Sequence, residues 1–249
     1  MPKEQLSRIG HPTADIVRRI TENKLEVSVS EGTVQAWITL SRSIRAADDL
    51  IDREASIEAR QAIYDKGINY LAGDNDDLGI DDEILVREMT ALKAHLGLLP
   101  IEQKESFIKD LRKLLRIGEM LRKAEDPANL ARITMLEGQT TARLYSNFLP
   151  LEFFKLDGYR DYVKYFTRLG RAANAFDSIV DFSTDYKQGK TMVKPTPRNM
   201  ALFAKSTLAS VAFIVTHTRP GFLKTGVDAA IGVAKDRKGN SSMHFNPSR

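Results

Sequence analysis

The chain of 249 residues contains no cysteine. Neither a disulfide framework nor a thiolate metal site can exist in it. Its histidines, His11, His95, His217 and His244, are scattered, and none falls in an H-x-x-H or E-x-x-H pattern. That argues against a zinc site and against a di-iron carboxylate bundle, whose helices carry Glu-x-x-His. No alternating polar and apolar run marks a strand, no segment repeats, and no composition shift marks a domain boundary. The opening residues, MPKEQLSRIG, lack an apolar run, so a signal peptide is not expected. The apolar stretch 200–218 is interrupted by Lys205, and its uncharged part is too short to span a bilayer. An acidic run, GDNDDLGIDD at 73–82, lacks the EF-hand spacing and closing Glu and reads as a solvated turn. Charge of one sign is not in great excess. A net charge of +4 and a pI near 9.2 suit anionic substrates or an anionic membrane surface without demanding nucleic acid.

What the chain does have is apolar spacing of helical period along most of its length. This length supports one large helical domain with a substantial core. Helices are expected over 12–24, with Thr13 as a cap, and from a Ser30 cap to Asp52. Others are expected from Ser56 to about Leu71, over 82–96, over 102–123, over 127–148 and over 159–187. Gly97 and Pro100 stop one helix, and Pro195 with Pro197 breaks the chain before 200–218. A final amphipathic helix is expected to end near Lys235, so that 1–235 forms one domain and 236–249 a disordered basic tail.

Two acidic segments interrupt the apolar pattern. Asp177, Asp181 and Asp185 stand at i, i+4 and i+8, in one row along a helix. Far upstream, RAADDLID places Asp48, Asp49 and Asp52 on another helical face. Aligned carboxylates repel one another unless cations sit on them. A charge run is most often a solvated face. Two such runs embedded among Leu50, Ile51, Phe176, Ile179, Val180 and Phe182 favour a divalent cation, with Mg²⁺ commonly held by one or two carboxylates plus substrate phosphates. Lys187, Gly189 and Lys190 follow the second row and add positive charge suited to an anionic ligand.

RAADDLID resembles the first aspartate-rich motif of the squalene/phytoene synthase family. Arg168-Leu169-Gly170-Arg171 through Asp177, Asp181, Asp185 and Gly189-Lys190 resembles its second motif without a gap, with Asn174 standing at the family's Gln and Lys190 at its Arg. The resemblance implies an all-α, single-domain helical bundle of the class I isoprenoid synthase type with a central cavity. It implies Mg²⁺, with Mn²⁺ as its substitute, held by Asp48, Asp49, Asp52, Asp177, Asp181 and Asp185. Of these, Asp48, Asp52, Asp177 and Asp181 are the expected catalytic carboxylates. Arg45, Lys190, Arg143 and Asn174 are expected at the substrate diphosphate, with Arg42 and Arg171 as further basic candidates. The implied partners are prenyl diphosphates, with no nucleic acid and at most peripheral membrane contact from a cytoplasmic protein; a homodimer is compatible.

The reaction so implied is ionisation of an allylic diphosphate and its condensation with a second prenyl diphosphate. Tyr145, Phe148, Tyr165, Phe166 and Phe176 are candidates to line the cavity, although aromatics at this spacing are more often core. Three departures bear on the reaction type. Val180 replaces the Arg that usually precedes the family's Asp. The family's Ser- and Phe-containing N-terminal stretch has no counterpart, and the C-terminal helices are expected to be shorter. Chain-elongating trans-prenyltransferases are the near alternative. They share the mid-helix tripeptide Glu137-Gly138-Gln139, but their Arg-Arg-Gly has no match in REASIEAR, 53–60. Close helix packing explains Gly138 equally well. Terpene cyclases and a non-catalytic prenyl-lipid-binding protein complete the alternatives.

Overall fold

A computed structural model describes residues 10–54 and 56–217. All regular structure among them is helical: α1 (His11–Leu25), α2 (Glu31–Ile51), α3 (Ile57–Ala72), α4 (Glu83–Gly97), α5 (Ile101–Arg122), α6 (Pro127–Ser146), α7 (Tyr159–Lys187) and α8 (Pro197–His217). One short 3₁₀ segment, Leu151–Lys155, lies between α6 and α7. The helix expected to end near Lys235 and the tail 236–249 lie outside the described residues, as do residues 1–9.

Helix starts follow side-chain chemistry. Ser30, Ser56, Asp82 and Asp126 accept hydrogen bonds from backbone N–H groups of the first turns of α2, α3, α4 and α6, satisfying donors a helix start leaves orphaned. Two expectations change. Gly10, not Thr13, precedes α1, which opens with Pro12 in its first turn. Pro197 begins α8 rather than only breaking the chain, because its missing N–H is not needed in a first turn.

The main apolar core joins helices α1 through α7 around Trp37, Leu40, Leu71, Leu96, Phe107, Leu144 and Tyr162. Polar links fix the register of these helices. Trp37 Nε1–H donates to the Tyr145 carbonyl at 2.8 Å, and the Ser41 and Tyr145 hydroxyls lie 2.6 Å apart. The Thr21 and Tyr162 hydroxyls, 3.0 Å apart, tie α1 to α7. A second apolar cluster, with Ile117, Leu130, Ile133, Phe182 and Phe203, joins the far ends of α5, α6 and α7 to α8. No described helix is long and apolar enough to cross a membrane.

Between the two clusters α6 and α7 come into backbone contact. A methyl group on Gly138 would stand 2.6 Å from Asn174 Cβ and closer still to the Gly170 carbonyl; one on Gly170 would stand 2.9 Å from Ala142 Cβ. The small residues ahead of the second Asp row therefore serve close packing and leave no room for a substrate tail at that level. Since helix backbones cannot move as a flexible side chain can, Gly138→Ala should destabilise the protein by about 1–3 kcal/mol. Urea unfolding checks this, and an unchanged midpoint would mean that the two backbones are not in contact.

Candidate functional site

Asp48, Asp49 and Asp52 sit at the end of α2, where unpaired carbonyls already concentrate negative charge. That turn carries no basic residue of its own. Compensation comes from one turn back and from two other parts of the chain. Arg45 pairs with Asp49 at 3.0 Å. Asp52 takes Arg122 Nη2 at 2.9 Å from the end of α5 and Lys190 Nζ at 2.7 Å from beyond α7. Gly189 brings Lys190 there: at φ +70° it reverses the chain, and the Lys190 N–H returns to the Asp185 carbonyl at 2.8 Å. One ion pair thus joins the end of the first acidic segment to the end of the second.

Glu137 enters the same region from α6. Asn174 Nδ2 donates to Glu137 Oε2 at 2.7 Å and to the Thr134 carbonyl at 2.8 Å. Burial pushes the Glu137 carboxyl up to about 7, the Asn174 hydrogen bond opposes this, and the charges of Asp48, Asp185 and Asp177 add to it. Carboxylates of α2 and α7 therefore both act on one carboxyl of α6. Asp48 is likewise raised to about 6, by burial first and then by Asp52, against Lys190 and Arg45. Yet Asp48 is an exposed residue. Its carboxyl reaches solvent while standing among the charges of Asp52, Lys190, Arg45 and Asp49. Burial also raises Asp52, but hydrogen bonds from Lys190 and Arg122 outweigh it and hold the group below its usual range. The Tyr64 phenol of α3, raised to about 12 by burial, senses Arg122, Asp48 and Glu119 and so belongs to the same rim. Beside it Arg60 Nε donates to Glu119 Oε1 at 3.1 Å, while Glu119 Oε2 is buried without a donor.

The α7 row continues the face that touches α6, since Gly170, Asn174, Asp177 and Asp181 follow one another at steps of four, three and four. Asp181 and Asp185 are half-buried and Asp177 is exposed. Other expected residues stand elsewhere. Asn174 commits its amide donors to α6, so it positions Glu137 rather than meeting a diphosphate. Arg143 is exposed, on a different face of α6 from Glu137, about 240° round the helix at 100° per residue. Arg42 Nη2 lies 3.2 Å from His11 Nε2, and Arg171 lines a separate concavity with Arg168. Tyr145, Phe148 and Phe166 are core side chains, Phe176 is exposed, and Tyr165 lies beneath the Lys24 ammonium, 4.3 Å from its ring centroid.

The carboxylates suit a divalent cation in charge and donor type. Among the described residues no three acidic or histidine side chains stand close enough to cage one unaided. Mg²⁺ held by one or two carboxylates and completed by phosphate oxygens needs no such cage. Sequence spacing pointed to the Asp rows and missed Glu137 as a site carboxylate, together with Arg122, Tyr64 and Glu119. For Glu137 the one signal was the Glu-Gly-Gln tripeptide; for the other three nothing in their spacing separates them from ordinary helix-surface residues. Compared with known family models, curated proteins and solved structures, the chain matches none.

An acid raised in the folded state favours folding at low pH, and that contribution is lost as pH rises through the folded value. The Glu137 contribution should therefore fade between about 4.5 and 7, where the unfolded group has already ionised. Glu137→Gln keeps the shape and cannot ionise. It should remove this slope and be more stable than wild type at pH 8, by an amount on the order of 1–3 kcal/mol. Unfolding curves at pH 5 and pH 8 test it. Parallel pH dependence in both proteins would show that Glu137 is not desolvated.

Proposed function

We propose that this protein is a Mg²⁺-dependent prenyl diphosphate transferase of squalene/phytoene synthase type. The reading rests on the resemblance of its two acidic motifs. The observation that carries it is the meeting of those motifs around Glu137, linked by the Asp52–Lys190 pair at 2.7 Å. Asp48, Asp49, Asp52, Asp177, Asp181 and Asp185 hold the cations, which when bound neutralise the diphosphate and stabilise it as a leaving group. Lys190 and Arg122, now paired with Asp52, and Arg45, now paired with Asp49, are the cations that would bind the diphosphate when metal takes those carboxylates. Breaking the allylic C–O bond sends its electron pair to the departing pyrophosphate. The double bond of a second prenyl diphosphate then attacks the cation, and a proton is lost. Phe176 and Val180, exposed beside the Asp row at 47% and 54%, offer the prenyl tail an apolar surface.

A second reading is favoured by the closed core. The aromatic side chains expected around a substrate tail are largely packed away, which suits a non-catalytic cleft that binds a cation or a prenyl lipid. Incubation with farnesyl or geranylgeranyl diphosphate separates the two. The enzyme releases pyrophosphate only with Mg²⁺ or Mn²⁺, and product mass then distinguishes condensation from elongation and cyclisation. Asp48→Asn and Asp181→Asn should each lower the rate by about 10²-fold or more, and should lose most of the thermal stabilisation that metal plus a diphosphate analogue gives wild type. Equal stabilisation of wild type and both variants would remove these carboxylates from the site.

A further inference from the structure

Arg168 and Arg171, one turn apart on α7, line a concavity of about 150 Å³ with Ala209, Ser210 and Phe213 of α8. Among the described residues no acidic side chain lines it, and neither guanidinium is paired with a carboxylate, in contrast to Arg45, Arg60 and Arg122 around the acidic cluster. Arg171 Nε is buried with no acceptor. Arg168 is held over the Phe213 ring, 5.0 Å from its centroid. A buried unpaired donor is costly to leave unmade, and two neighbouring guanidinium groups repel. Both penalties are relieved by one oxyanion, whose oxygens match the planar fork of arginine. The Ser210 hydroxyl now donates to Met135 Sδ at 3.1 Å. Thioether sulfur is a weak acceptor, so that donor is available to an oxygen instead. The volume is below the roughly 300–1,000 Å³ of small-molecule pockets: it admits a phosphate or diphosphate head and no long hydrocarbon chain.

We propose that the α7–α8 pocket is an anion site for a phosphate-class group, free or at the head of a lipid, distinct from the acidic cluster around Glu137. It is independent of the prenyltransferase reading, because the acidic cluster repels such an anion unless metal is present and the arginine pocket does not. The test is calorimetric titration of the full chain with inorganic pyrophosphate in EDTA, alongside co-sedimentation with phosphatidylglycerol and phosphatidylcholine vesicles. Metal-free binding should occur and should weaken at least tenfold in Arg171→Gln and in Arg168→Gln. It should be unchanged in Lys205→Gln, which removes an exposed charge of α8. Competition between pyrophosphate and acidic vesicles assigns a free anion as well as a lipid head; binding to vesicles alone assigns the lipid head. Circular dichroism melting confirms folding, and Arg168, the more exposed of the pair, keeps the test open if Arg171→Gln unfolds. No binding in either arm, or equal loss in Lys205→Gln, would overturn the proposal.

Discussion

The approach of α6 and α7 at Gly138 and Gly170 is the constraint on which the acidic cluster around Glu137 depends. Side chains at either position would part the helices, since each would run into the opposite backbone. With the backbones touching, Asn174 reaches the Thr134 carbonyl and the Glu137 carboxyl, one turn beyond Gly170 on the same face. The same approach fixes where the row from Asp177 to Asp185 runs and how near it comes to α6. It also divides the interior. The main core lies on the side of Ala142 and Phe166, the smaller cluster on the side of Ile133 and Phe182, and the polar groups occupy the seam between them.

That seam is electrostatically uneven. Asp48, Asp177 and Asp185 act on Glu137 there, and two of the seam's cations, Arg122 and Lys190, are spent on the single carboxylate of Asp52. The consequence shows in proton affinity: Asp52 is held down, while Asp48 and Glu137 are raised. A solvated charged face does not behave so, because water screens its charges and leaves each carboxylate near its ordinary value.

Much of this was legible in the sequence, for reasons that differ by element. α7 was read with its observed ends because proline and glycine flank a long stretch of helical spacing, and Ser30, Ser56 and Asp82 announce their helices by chemistry that acts within one turn. The Asp rows were legible because spacing of three and four residues sets a helical face without reference to any partner. Glu137 was not, because its environment is made by α2 and α7, and a single sequence carries no record of which helix faces which. Arg122 and Tyr64 were hidden for the same reason. Arg143 misled because its type suits a diphosphate while its helical phase turns it elsewhere. The aromatics followed the more ordinary of their two readings: helical spacing shows that Tyr145, Phe148 and Phe166 point inward, but not whether the interior is hollow or filled, and they are core.

α7 finally separates two environments of opposite sign. Gly170, Asn174, Asp177 and Asp181 follow the face toward α6, and Arg171 and Arg168 lie progressively round toward α8, where Phe182 packs on Phe203 with ring centroids 5.4 Å apart. Carboxylates and guanidinium groups on one helix would ordinarily pair at steps of three or four. Here Arg171 is six residues from Asp177, beyond that reach, and Asn174 fills the intervening turn with a neutral amide already engaged on α6. The spacing therefore prevents the two sets from neutralising each other along the helix. The segregation is built into the order of residues on α7.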